Sequence, residues 1–86
     1  MPIQLTNRFI RQYGQLPQAT QRKVDKALSL LDIDFRYPGL RSHPIESAPG
    51  LFEAYVDIKY RMTFERHRNT FVMRNVDNHD ECLRNP

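Results

Sequence analysis

Three runs in the second half of this 86-residue chain alternate apolar and polar residues with only short breaks between them. Runs of that kind, joined too closely for crossover connections, pair as an antiparallel sheet. They cover residues 51–57, 60–66 and 70–77. Successive side chains of a strand point to opposite faces. In the first run Phe52, Ala54 and Val56 therefore oppose Glu53, Tyr55 and Asp57, and in the second Met62 and Phe64 oppose Arg61, Thr63 and Glu65. The presented face is rich in Arg, Glu and Tyr, and His79-Asp80 follows the third run. Such a surface can hold a polyanion and move protons on it.

The first half reads as two helices. Thr6 is a suitable N-cap, and Leu5 and Ile10 stand at the spacing of a hydrophobic staple. Phe9, Ile10 and Tyr13 share a face before Gly14, which predicts a helix over residues 6–13. Pro17 opens a second helix, because its missing N–H is not needed in a first turn. Val24, Ala27, Leu28 and Leu31 form one apolar stripe, and Arg22, Lys23 and Lys26 lie off it. The stripe ends near Leu31, with a connection over residues 32–38. A short strand is expected over residues 40–43, stopped by Pro44, and Pro49-Gly50 marks a turn. The expectation is one α+β domain over residues 1–86: an N-terminal helical hairpin packed on one face of a three- to four-stranded antiparallel sheet, with the other face open.

Length and charge narrow the function classes. A chain this short holds one core and buries only about 60–65% of its unfolded surface, so stability is modest. Thirteen Lys and Arg against ten Asp and Glu leave a net charge of +3. The distribution is uneven. Residues 59–74 hold Lys59, Arg61, Arg66, Arg68 and Arg74 against Glu65 alone, whereas residues 32–58 hold Arg36 and Arg41 against five acids. A lone Cys82 excludes an internal disulfide and fits a reducing cytoplasm. No stretch approaches the roughly 18 apolar residues of a membrane helix, and no secretory signal pattern opens the chain. Isolated glycines exclude a phosphate loop, a serine elbow is missing, and His79-Asp80 lacks a second ligand cluster for a metal.

The residues with usable chemistry are few. Arg61, mid-strand on the polar face, has a rigid fork suited to two-point contact with a phosphate, or to an ion pair with Glu53 or Glu65. An imidazole can give or take a proton at neutral pH, so His79, with Asp80 beside it in the chain, can exchange protons or simply stand in solvent. His43 and Glu53 are further proton-transfer candidates. His67 lies in a polar turn.

With these residues in place, the chain resembles the RelE/ParE superfamily of toxins from toxin–antitoxin systems. The likeness runs from the helical hairpin through residues 40–45 and 51–56 to Tyr60-Arg61-Met62-Thr63-Phe64 and Asn78-His79-Asp80-Glu81. The resemblance implies a ribosome-dependent endoribonuclease that cuts mRNA without metal or other cofactor, the RNA's own 2′-hydroxyl attacking the adjacent phosphate. It also implies neutralisation by a cognate antitoxin. On that resemblance Arg61 stabilises the phosphate, His79 and His43 transfer protons, Glu53 and Asp80 assist them, and Arg41, Lys59 and Arg74 position the RNA backbone. Other superfamily members bind gyrase without cutting RNA, and a degenerate member would bind RNA or protein without cleavage. Both alternatives stand beside the nuclease reading.

Overall fold

The computed structural model describes residues 2–86. Thr6 acts as the N-cap, its hydroxyl accepting from the Phe9 N–H at 3.2 Å and donating to the Met73 carbonyl at 2.8 Å. Helix α1 (Asn7–Gly14) follows and buries Phe9. Pro17 leads into α2 (Gln18–Ile33), whose buried stripe is Thr20, Val24, Ala27 and Leu31. Leu28 packs at the edge of that stripe. Both helices form where capping and periodicity place them.

The sheet is larger than expected and mixed. Its strands are β1 (Ile3–Leu5), β2 (His43–Pro44), β3 (Leu51–Tyr55), β4 (Tyr60–His67) and β5 (Thr70–Asn78), in the spatial order β1-β5-β4-β3-β2. β1 runs parallel to β5, and the other neighbours are antiparallel. The expected three- to four-stranded antiparallel sheet is therefore corrected to five strands. Three residues are too short to display a period of two, so β1 exists only because β5 offers it an edge. The strand expected over residues 40–43 is displaced as well. Residues Pro38–Leu40 make a 3-10 turn, Arg41 takes a left-handed backbone (φ 49°), and pairing starts at His43. Pro44 sits on this edge strand, where its missing N–H breaks no ladder bond.

Register builds the core. Phe52, Phe64 and Met73 lie side by side across the sheet, as do Ala54, Met62 and Val76. These residues pack with Phe71 against Phe9, Val24, Ala27, Leu31 and Leu40. Phe64 stands at the centre, 5.6 Å from the Phe52 ring and 5.3 Å from that of Phe71. A register shift between Thr63 and Phe64 leaves Arg74 as the extra residue of β5. Without that bulge, Met73 and Val76 would fall on opposite faces.

The second face is not fully open. A short helix α3 (His79–Arg84), capped by Asn78 accepting from the Glu81 N–H at 3.0 Å, folds back across β4 and β5. Cys82 is fully buried beneath it, and its thiol donates to the Arg61 carbonyl at 3.1 Å. Thr63 and Asn75 donate to the Pro86 and Asn85 carbonyls at 2.9 and 3.0 Å. The end of the described chain thus closes half of the polar face, and the half over β2, β3 and the start of β4 stays accessible. No helix among the described residues is long and apolar enough to cross a membrane.

Candidate active site

Strand pairing brings the polar candidates together before any side-chain contact is considered. His43 lies opposite Glu53 across β2–β3, and Tyr55 lies opposite Arg61 across β3–β4. α3 returns His79 to the same corner, where its backbone N–H donates to the Lys59 carbonyl at 2.9 Å. Arg41, His43, Glu53, Tyr55, Arg61 and His79 line one cleft of about 280 Å³.

Glu53 forms the floor and is only 4% exposed. One of its oxygens, Oε1, stands 3.5 Å from His43 Nε2 and 3.9 Å from Arg61 Nε. The other, Oε2, is buried with no hydrogen-bond partner. A buried carboxylate oxygen left so is costly.

The His43 ring is oriented by its backbone. Nδ1 is 2.7 Å from the Arg41 carbonyl, which can only accept, so Nδ1 carries the proton. Nε2 is thereby turned to the Glu53 carboxylate. Arg61 is fixed from the other side: its Nη1 donates to the Asp57 carbonyl and, at 3.0 Å, to the Tyr60 carbonyl. Those carbonyls belong to the β3–β4 turn, which Asp57 builds by accepting at 2.8 Å from the N–H groups of both Lys59 and Tyr60. Burial alone would push the Asp57 carboxyl upward. The Tyr60 and Lys59 N–H groups, with the Lys23 ammonium 3.2 Å away, outweigh it and hold the carboxyl below its usual range.

Tyr55 carries two guanidinium groups on its ring, that of Arg41 at 4.9 Å and that of Arg61 at 4.6 Å from the centroid. Its place on the polar face was legible in the alternation, but a tyrosine there carries no phosphate-binding charge and drew no attention. Asp57 was missed for another reason, since its role is to shape the turn that holds Arg61.

Other expected site residues sit apart from this group. Asp80 is 3.7 Å from His79 Nδ1, beyond a hydrogen bond, and its side chain is 87% exposed, so it does not line the cleft. Lys59 reaches over Tyr60 at the rim. Arg74, on the bulge, faces Glu65 at 3.6 Å and the Pro86 carbonyl at 3.4 Å. The basic excess divides in two, because Arg36 and Arg66 lie instead on the Phe35 ring beside α2. A roomier groove of about 400 Å³ between α2 and β3 is lined by Ala27, Leu30, Leu40 and Val56 with Lys23, Lys26 and Asp57, and holds no proton-transfer pair. Among the described residues no group of three or more His, Cys, Asp or Glu is placed to hold a metal ion.

No protein-family model matches the chain, and no curated protein matches it by sequence. Solved structures do. YafQ from E. coli strain BL21(DE3) superposes with a TM-score of 0.77 at 14% identity, over 92% of this chain and 93% of that one. RelE in the RelB–RelE antitoxin–toxin complex from Methanococcus jannaschii gives 0.75 at 11% identity, over 91% and 92%. The E. coli DinJ–YafQ toxin–antitoxin complex gives 0.72 at 15% identity, over 92% of each chain. Likeness at these identities is likeness of fold, and it extends over nearly the whole domain: this chain has the fold of the RelE-superfamily toxins.

Proposed function

We propose that this protein is the toxin of a toxin–antitoxin pair and that it cleaves messenger RNA on the ribosome. The observation that carries this reading is the meeting, in one cleft, of two guanidiniums, two imidazoles and a nearly buried carboxylate. The Glu53–His43 pair, which meets at Oε1, takes the proton from the RNA 2′-hydroxyl. The 2′-oxygen forms its bond to phosphorus as the bond to the 5′-oxygen breaks, and His79 gives its proton to that leaving oxygen. The products are a 2′,3′-cyclic phosphate and a 5′-hydroxyl. The nucleophile belongs to the substrate, so no metal-bound water is required. Arg61, reinforced by Arg41, faces the charge that gathers on the phosphoryl oxygens. Positioned acid and base catalysis contributes about 10²- to 10⁴-fold each, and preorganised charge a comparable factor.

The cognate partner is an antitoxin presenting an acidic segment to this basic cleft, in keeping with the antitoxin-bound state of the RelE and YafQ relatives. Induction without antitoxin arrests growth, and the 5′ ends of cellular RNA shift to sites within translated messages. His79→Ala, on the solvent-facing first turn of α3, and Arg61→Ala each relieve the arrest while antitoxin capture persists. Continued toxicity in both variants refutes the site. Arrest with unchanged RNA ends and a DNA-damage response supports gyrase binding instead.

A further inference from the structure

We propose that Tyr55 is a positioning residue whose ring locks Arg41 and Arg61 into a single two-armed phosphate clamp; this rests on the nuclease reading above. Both guanidinium carbons lie within cation–π range of the same ring. The ring itself is anchored, half-buried at the end of β3 and paired across from Arg61. The aromatic face holds a guanidinium without consuming its edge N–H donors; on Arg61 the Nη1 donors already go to the Asp57 and Tyr60 carbonyls, which leaves Nη2 for a phosphate.

Arg41 shows why such a support is needed. Among the described residues it makes no ion pair, and its side chain is exposed. Its backbone occupies the left-handed region, as among the described residues only one other non-glycine residue does, Arg68. That conformation disfavours side chains other than Gly, Asn or Asp, and it persists where surroundings determine it. Here the same residue places its guanidinium on Tyr55 and its carbonyl on His43 Nδ1. Ring, clamp and general-base pair are thus one connected unit.

During attack the phosphoryl oxygens go from one negative charge to about two. A pair of guanidiniums fixed in advance favours the second charge over the first, so its ordering acts on turnover more than on binding. Tyr55→Leu is therefore expected to lower kcat on mRNA-programmed ribosomes about tenfold or more, with KM changed less than about threefold. Tyr55→Phe, which keeps the ring, restores most of the rate.

A second readout does not depend on cleavage. In NMR spectra the side-chain N–H and Cδ protons of Arg41 and Arg61 carry upfield ring-current shifts in the wild type and in Tyr55→Phe, and lose them in Tyr55→Leu at unchanged melting temperature. Equal impairment of Phe and Leu variants overturns the inference, since the hydroxyl would then be responsible. So does full activity of Tyr55→Leu, or arginine shifts insensitive to the ring. If wild-type protein cleaves no RNA, the nuclease reading fails by itself. The clamp is then judged by the arginine shifts: shifts lost in Tyr55→Leu and kept in Tyr55→Phe support it, and shifts insensitive to the ring overturn it.

Discussion

Arg41 stores conformational free energy in its backbone and spends its side chain on the cleft. Glycine at this position would remove the left-handed strain, though it would also loosen the unfolded chain. Arg41→Gly is therefore expected to be about 1 kcal/mol more stable than Arg41→Ala, a difference of about 4–8 °C in melting temperature for a domain of this size. Both variants lose RNA cleavage to a similar degree. Thermal melts beside single-turnover cleavage check this, and an Ala variant as stable as the Gly variant would remove the strain argument. Arg61, Glu53 and His79 were legible in the sequence because each sits on the polar face of an alternating run or follows its end, whereas His43 rested on the family resemblance. Asp80 was not legible as an outsider, since adjacency along the chain suggested contact. Once His79 and Asp80 begin a helix, consecutive side chains splay about 100° apart and no longer face each other. Arg74 was misplaced by the bulge, which shifts the alternation in the middle of β5.

At the scale of elements, the β3–β4 turn decides where the Arg61 fork points. Asp57 gathers two N–H groups with its carboxylate and offers its carbonyl to Arg61, so the turn and the clamp share one residue. Asp57→Ala should cost about 1–3 kcal/mol through the lost charged hydrogen bonds and should lower cleavage as Arg61 loosens. The carboxyl is held below its usual range in the folded protein, so its contribution is complete above the ordinary aspartate pKa near 3.9 and disappears as pH falls through the lower folded value. Urea titrations at pH 7 and pH 3 test this: the stability gap between wild type and variant is expected to narrow at the acidic end. The elements that escaped sequence reading were the short ones. β1 pairs with β5 and is too short to show a period of its own. α3 left one usable sign, the capping Asn78 followed by acidic Asp80 and Glu81 in the first turn. Alternation in the preceding strand carried the eye past it.

Across the whole molecule, α3 does two things at once, closing the second face of the sheet over Cys82 and delivering His79 to the cleft. Stability and activity should therefore rise and fall together with the docking of this helix. Cys82 reports on it. Burial pushes the thiol up to about 12, with the Glu53 and Asp77 charges adding to the rise, against the opposing hydrogen bond from the Asp77 backbone. A raised folded value means that the neutral thiol's contribution is complete below the ordinary thiol pKa of about 8.5 and is lost progressively as pH climbs towards 12. In that window wild-type stability should fall by up to about 1.4 kcal/mol per pH unit more steeply than that of Cys82→Ala, as measured by urea midpoints at pH 8 and pH 10. At neutral pH the thiol should react with an aromatic disulfide reagent only as fast as α3 opens. Removing the cap with Asn78→Ala, worth about 1 kcal/mol, should then speed labelling about fivefold and slow RNA cleavage without altering the β-sheet core. Faster labelling with undiminished cleavage would show that His79 reaches the phosphate independently of the docked helix, and the coupling between fold and chemistry would have to be sought in β4 alone.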